Sequence, residues 1–495
     1  MNSLYDELKS YSDKNIYSCH MPGHKGHALG AMTPDYAEID FTEVTGLDDL
    51  HDPEGIILEA QKNAASVLGA DETFFLINGS TAGILTAISA SVKRGGKLVM
   101  SRGCHKSAYN ALLLRDIRPG YIFPKGPDQD GIYDAPDVFD VRCSLEENPD
   151  AEAVLIVSPT YEGRMSDIAA IAEEVHKHGI PLIVDEAHGA HLSFTEGSKA
   201  DALRCGADIV IQSVHKTLPA PTQTALLSVR GELADRTRIR EYLSVYQSSS
   251  PSYPLMAMID GCIRYVSENR ENLIQNLHDN FENLLKRLEV CDTLLFGPNL
   301  EDLRSEKADY GKLVVSCLNA GISGAELARL LLEEHGIEAE MSGPGYVLLM
   351  FTVGDMPEGY DRVVSSLIAL DEKLTRVSGE VQADTATAAP ETPDAAASAR
   401  PATAIDIPRP IIRMPYASAC EAERDEIPLS ESTGRIASNI ICLYPPGTPI
   451  IAPGEEIREE HISFIEKCLG QGFNIKGLVK TGTGAPVVKA VKSDS

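Results

Sequence analysis

Between residue 70 and about residue 230 the chain alternates short apolar runs with turns and longer helical stretches. The runs are Phe74–Ile77, Lys97–Ser101, Tyr121–Phe123, Ala153–Ser158, Pro181–Val184, Asp208–Gln212 and Ala225–Val229. Runs rich in β-branched or aromatic residues and lacking polar alternation suit strands covered on both faces, the habit of parallel sheets flanked by helices. Seven of them predict a seven-stranded, mostly parallel α/β sheet. In such sheets ligands bind beyond the carboxyl ends of the strands, so the residues just after each run are where chemistry is expected.

The pattern then changes. Ser267–Leu288 places Leu273, Leu277, Phe281, Leu284, Leu285 and Leu288 on one helical face and predicts a long connecting helix. Apolar runs at 313–318 and 346–354, with helices at 324–336 and 360–374, predict a small α/β domain. Residues 378–404 are rich in Ala, Thr and Pro and have almost nothing to bury, so a flexible linker is expected. The resulting division is an N-terminal arm (1–50), a large domain (51–266), a small domain (267–377), the linker (378–404) and a C-terminal α+β domain (405–495).

Charge narrows the choice of partners. Lys and Arg number 44 against 73 Asp and Glu, a formal net charge of −29, which would repel nucleic acid and anionic membranes. The N-terminus has no basic-then-apolar signal pattern, and no apolar run approaches the ~20 residues a spanning helix needs. A cytoplasmic protein with neither a nucleic-acid nor a membrane partner is expected. Ten scattered cysteines with no C-x-x-C pair suggest reduced, mostly buried thiols rather than a zinc ribbon or a disulfide scaffold.

Three strand ends carry candidate chemistry. After the first run, Asn78-Gly79-Ser80-Thr81 opens a helix, a corner whose N–H groups and hydroxyls suit a phosphate but equally suit an ordinary N-cap. After the fifth run comes Asp185-Glu186-Ala187-His188. A carboxylate there needs a cationic partner, such as the protonated nitrogen of a pyridine cofactor, a helix end or a salt bridge. After the sixth run, Ser213-Val214-His215-Lys216 puts a lysine at the mouth of a buried strand, where desolvation makes an amine nucleophilic toward carbonyls. Phosphate corner, ring-nitrogen carboxylate and reactive lysine, in that order, fit pyridoxal 5'-phosphate.

Longer motifs carry a resemblance: CHMPGHKG (19–26), DFTEVTGLDDLHDPEG (40–55), NGSTAG (78–83), RGCHKSAYNAL (102–112), SPTYEG (158–163), VDEAHGAH (184–191), QSVHKTLPAPTQTALL (212–227), SSSPSYPL (248–255) and SESTGRIASNIICLYPPGTPIIAPGE (430–455). The chain resembles the fold type I, aspartate-aminotransferase-like pyridoxal-phosphate enzymes, and among them the bacterial ornithine/lysine/arginine decarboxylases. The start of the first motif at residue 19 suggests the short, biosynthetic-type form without an N-terminal wing domain.

The resemblance implies that Lys216 holds the cofactor covalently and that Asp185 keeps the ring nitrogen protonated as an electron sink. It implies that His105 stacks on the ring, that Ser80, Thr81 and Ser213 hold the phosphate, that His215 stands beside Lys216 and that His188 lies near the ring. Ser249 and Ser250, in the segment Ser248–Ser250, would reach the phosphate of a second subunit, making a homodimer or higher homo-oligomer with shared active sites the functional unit. The implied reaction is α-decarboxylation of a basic amino acid to CO2 and an amine, as in polyamine biosynthesis, with arginine ahead of lysine or ornithine. Lys216 or His215 would return the proton to Cα. Asp48, Asp49 and Glu431 are candidates for the distal cation of the substrate. An aminotransferase or another lyase of the same fold is the alternative, with Arg329, Arg362 or Arg376 as a carboxylate clamp. A remoter one is a metallohydrolase built on His20, His24, His188, His191 and Asp185; the pyridoxal-phosphate reading calls for no metal.

Overall fold

The computed structural model describes residues 17–19, 42–43, 48–126, 128, 130–195, 201–385, 408–443, 447, 449–470, 474–480 and 485–492. His20, His24 and His27, most of residues 40–47, and the expected linker from residue 386 onward lie outside the described residues.

The large sheet is built from β1 (Glu72–Leu76), β2 (Lys97–Ser101), β3 (Arg118–Ile122), β4 (Ala153–Val157), β5 (Leu182–Asp185), β6 (Ile209–Gln212) and β7 (Ala225–Val229). Their spatial order is β1-β7-β6-β5-β4-β2-β3. Only β7 runs against the other six, pairing antiparallel with both β1 and β6. Successive residues point to opposite faces of a strand, and here both faces are apolar. Val154, Ile156, Val184 and Val210 enter one buried cluster, while Leu155, Ile183, Ile209 and Ile211 enter another on the far side. Burial on both sides is why these strands show no alternation in the sequence.

Helix α1 (Gly79–Ser91) lies close over the sheet. A Cβ at Gly83 would stand 2.6 Å from Leu76 Cδ1 and 3.0 Å from Ile211 Cγ2, so only glycine lets the helix start sit above the ends of β1 and β6. Helix α2 (Lys106–Arg115) follows β2, and the single helical turn α3 (Val214–Thr217) follows β6.

Helix α4 (Tyr253–Leu288) links the large and small domains, starting at a Ser252 cap with Pro254 in its first turn. It begins fourteen residues before the expected Ser267 (267 − 253). The added stretch is buried at Met256, Met258, Ile259, Cys262 and Ile263, so the one-sided pattern that betrays a helix appears only where one face meets solvent.

The small domain carries a sheet of β8 (Leu295–Gly297), β9 (Lys312–Ser316), β10 (Met341–Ser342) and β11 (Tyr346–Met350), in the order β10-β11-β9-β8 and antiparallel throughout. Helix α5 (Pro357–Thr385) runs past residue 377 into the segment expected as linker. The strand Tyr17–Cys19 pairs in parallel with Ile337–Ala339, so part of the expected N-terminal arm is tied to the small domain. The C-terminal unit comprises two three-stranded sheets and the helix Glu459–Gly470. No described helix is long and apolar enough to cross a membrane.

Candidate active site

Asp185 is the last residue of β5, and Lys216 sits in the turn α3 that follows the neighbouring β6. The topology thus brings two residues thirty-one positions apart to one sheet end. Asp185 is 5 % exposed; one of its oxygens, Oδ1, accepts from the Ala187 N–H at 3.1 Å. Burial pushes its pKa up, opposed by the charge of Lys216. Burial likewise pulls Lys216 below the usual lysine value, opposed by Asp185 and by Glu340 from the small domain. A buried carboxylate beside a half-buried, desolvated amine is an arrangement found where chemistry needs shifted groups.

The structure brings Ser80, Thr81 and Ser213, the residues expected to hold a phosphate, to one corner. Ser213 Oγ donates to Ser80 Oγ at 2.9 Å, joining the end of β6 to the start of α1, and Thr81 stands exposed in the same first turn. His105 caps α2, its Nδ1 accepting from the Ser107 N–H at 3.3 Å. Burial, with help from Lys216 and Lys106, pushes His105 down to about 4, so the ring is neutral at pH 7. His215 is buried behind Lys216, and because a carbonyl only accepts, its Nδ1 carries the proton it gives to Thr224 O at 2.9 Å.

His188 faces Lys216 directly, Nε2 to Nζ 3.0 Å, and its ring lies 4.4 Å from that of Tyr161. On its other side, Nδ1 is 2.8 Å from the Nζ of Lys312, a lysine only 1 % exposed at the start of β9. Burial first, then Lys216 and Lys312, holds His188 well below the ordinary histidine range, so it is a neutral imidazole.

Several other candidates are engaged away from Lys216. Asp48 is a structural anchor: its carboxylate accepts from the backbone N–H groups of Asp49, Glu54, Gly55, Ile57 and Leu58. Asp49 accepts from His51 N–H, and Glu431 is exposed in the C-terminal unit. His191 turns from His188 to Asp309 at 2.8 Å, so the two histidines of VDEAHGAH do not converge with Asp185 on one point. Arg329 and Arg376 pair with glutamates of their own helices, and Arg362 bonds the carbonyls of His335 and Gly336. Ser249 and Ser250 are exposed, while Ser248 N–H donates to Asn78 Oδ1 at the start of α1 in its own chain.

Tyr161, Glu340 and Lys312 were not foreseen. Tyr161 lies in the SPTYEG motif, which could have flagged it. Lys312 and Glu340 have no local signal: Lys312 is the first residue of β9 and Glu340 the residue before β10, where a charged side chain is ordinary.

Residues 2–301 match the Orn/Lys/Arg decarboxylase major domain, and residues 409–473 match the C-terminal domain of the same family. The chain belongs to the Orn/Lys/Arg decarboxylases. It is 33 % identical to an arginine decarboxylase of Bacillus subtilis over 485 residues, covering 96 % of this chain and 95 % of the relative. An arginine decarboxylase of Bacillus anthracis is 30 % identical, with 96 % and 94 % covered. The inducible lysine decarboxylase of Escherichia coli K12 is 23 % identical, with 99 % and 81 % covered. In fold, this decarboxylase resembles the Francisella novicida lysine decarboxylase, with a TM-score of 0.76, 19 % identity, and 99 % of this chain and 84 % of that one covered.

Proposed function

We propose that this decarboxylase is a pyridoxal-phosphate enzyme that removes the α-carboxyl group of a basic amino acid, arginine ahead of lysine or ornithine. The observation that carries the reading is the buried Asp185 opposite Lys216 across adjoining strand ends. Among the described residues Asp185 Oδ1 spends its bonding on Ala187, and no hydrogen bond reaches Oδ2, which suits a cationic ring N–H. Ser80, Thr81 and Ser213 would take the phosphate, His105 would cover a ring face, and Lys216 would hold the group covalently. When bound, that group supplies an electron-poor ring able to take up the electron pair left by departing CO2.

The protein's own residues do the rest. Asp185 keeps a positive charge in place where water is excluded. Lys216 is a nucleophile because burial favours its neutral form, and after CO2 leaves, its Nζ or His215 returns a proton to Cα. Glu340 offers a carboxylate near Lys216 for a cationic group of the substrate. Arginine leads because the relatives that cover nearly the whole chain at 30 to 33 % identity bear that name. Arg329, Arg362 and Arg376 are all occupied elsewhere, which weighs against an aminotransferase clamp built from them. Ser249 and Ser250, exposed beside the corner, would serve a second subunit, making the homodimer the functional unit. Reduction of the holoenzyme with borohydride followed by peptide mapping tests the assignment: the label falls on Lys216, and a label on another lysine refutes it.

A further inference from the structure

Lys312 is a buried lysine that the reaction as described does not use. Its place is built into the fold. Gly163, which closes the SPTYEG motif, has φ +87°, and a Cβ there would lie 2.6 Å from Lys312 Cβ, so the loop carrying Tyr161 leaves room for the lysine stem. At its far end Lys312 Nζ meets His188 Nδ1 at 2.8 Å and Met350 Sδ at 3.4 Å. His188 Nε2 meets Lys216 Nζ at 3.0 Å. One imidazole therefore bridges two lysine nitrogens.

Hydrogen-bond bookkeeping limits what this chain of atoms can be. A neutral imidazole has one donor and one acceptor nitrogen, an ammonium only donates, and a neutral amine can accept. Two arrangements then satisfy both contacts. Either Lys216 is the ammonium, donating to Nε2, and Nδ1–H donates to the Lys312 amine, or Lys312 is the ammonium, donating to Nδ1, and Nε2–H donates to the Lys216 amine. They differ by one proton passed along the chain: Lys216 gives a proton to Nε2, and Nδ1 gives one to Lys312. The N–H bond on Lys216 breaks, one forms on Lys312, and the ring exchanges tautomers without becoming charged.

We propose that Lys312 is a positioning residue that acts through His188 as the proton partner of Lys216, taking up the proton Lys216 must lose to become a nucleophile. The proposal rests on the reading of Lys216 as the reactive lysine. Asp185 and Glu340 act on Lys216; Lys216, His105 and His215 act on His188; and the Tyr161 ring lies 4.4 Å from that of His188, with Lys216 Nζ 5.8 Å from its centroid. The two carboxylates favour a charged Lys216, so a second seat for the proton is what frees the amine.

The test measures reductive methylation of Lys216 by formaldehyde and cyanoborohydride against pH, on the full chain freed of cofactor, quantified by mass spectrometry of the Lys216 peptide. In the unaltered protein the midpoint lies below the ordinary lysine value; a midpoint at that value refutes the reading of Lys216 itself and the relay with it. Lys312→Met removes the second seat and raises the midpoint by about one pH unit or more. His188→Phe keeps Lys312 but cuts the path and raises the midpoint as Lys312→Met does. An unmoved midpoint in Lys312→Met, or a rise there with none in His188→Phe, overturns the relay. If Lys312→Met does not fold, His188→Phe decides: an unmoved midpoint there overturns the relay.

Discussion

The guanidinium of Arg102 and the carboxylate of Glu455 form a two-pronged ion pair, Nη1 to Oε1 2.5 Å and Nη2 to Oε2 2.8 Å, with both side chains almost fully buried. Arg102 follows β2 three residues before His105, and Glu455 ends the IIAPGE stretch of the C-terminal unit. Arg102 also donates to Ile450 O at 3.3 Å, while Glu455 Oε2 accepts from Ala452 N–H at 2.9 Å. The C-terminal unit is thus fastened at the loop that presents His105.

Breaking this pair on one side strands a buried charge. Glu455→Gln should destabilise the protein by about 3–5 kcal/mol in urea or guanidinium unfolding, whereas Arg102→Met combined with Glu455→Leu should recover most of that loss. Equal destabilisation in the single and double variants would show that the C-terminal unit is held by other contacts.

Asp185→Asn tests the electrostatic core of the site. An amide cannot hold a ring nitrogen protonated, so kcat should fall by 10²–10³, about 2.7–4 kcal/mol by analogy with the loss of other preorganised partners. Cofactor should remain reducible onto Lys216. Near-normal turnover would remove Asp185 from the mechanism.

Glu340→Gln should raise KM for a basic amino acid by about tenfold, ~1.4 kcal/mol, with a smaller effect on kcat. Steady-state kinetics settle it: an unchanged KM means that the distal cation is bound elsewhere.

Acid should weaken the fold in a defined window. His105 and His461 are each pushed down to about 4, chiefly by burial. The unfolded chain takes up their protons near pH 6.5, the folded chain only near 4, so between those values the unfolded state binds more protons. The stability they contribute is present above about pH 6.5 and is lost as pH falls toward 4, by up to ~1.4 kcal/mol per pH unit for each group. Urea midpoints measured against pH should show a shallower acid limb in His461→Leu than in the unaltered protein. An identical slope would show that His461 does not titrate this way.

The large sheet was legible because its strands are buried on both faces, so each leaves an unbroken apolar run ending at a turn. The strand-end rule pointed to Asp185, Lys216 and Ser80, and the fold brings all three to one end of the sheet. The antiparallel small sheet was harder: β8 and β10 are only three and two residues long, too short to carry a pattern. Lys312 and Glu340 were invisible for a different reason. A lysine or glutamate beside a short strand reads as solvated surface, and only the folding of the small domain over the ends of β4 to β6 buries these two beside Lys216. Asp48 misled in the opposite direction, since an acidic residue near a motif can serve a helix start as well as a substrate.

The central claim is loss of the α-carboxyl group from a basic amino acid. The direct test supplies arginine, lysine and ornithine separately to the purified holoenzyme and follows released CO2 together with the product amine. The account predicts one CO2 and one amine per amino acid consumed, fastest with arginine, and no turnover in Lys216→Ala. Transfer of the amino group to a keto acid without release of CO2 would contradict it.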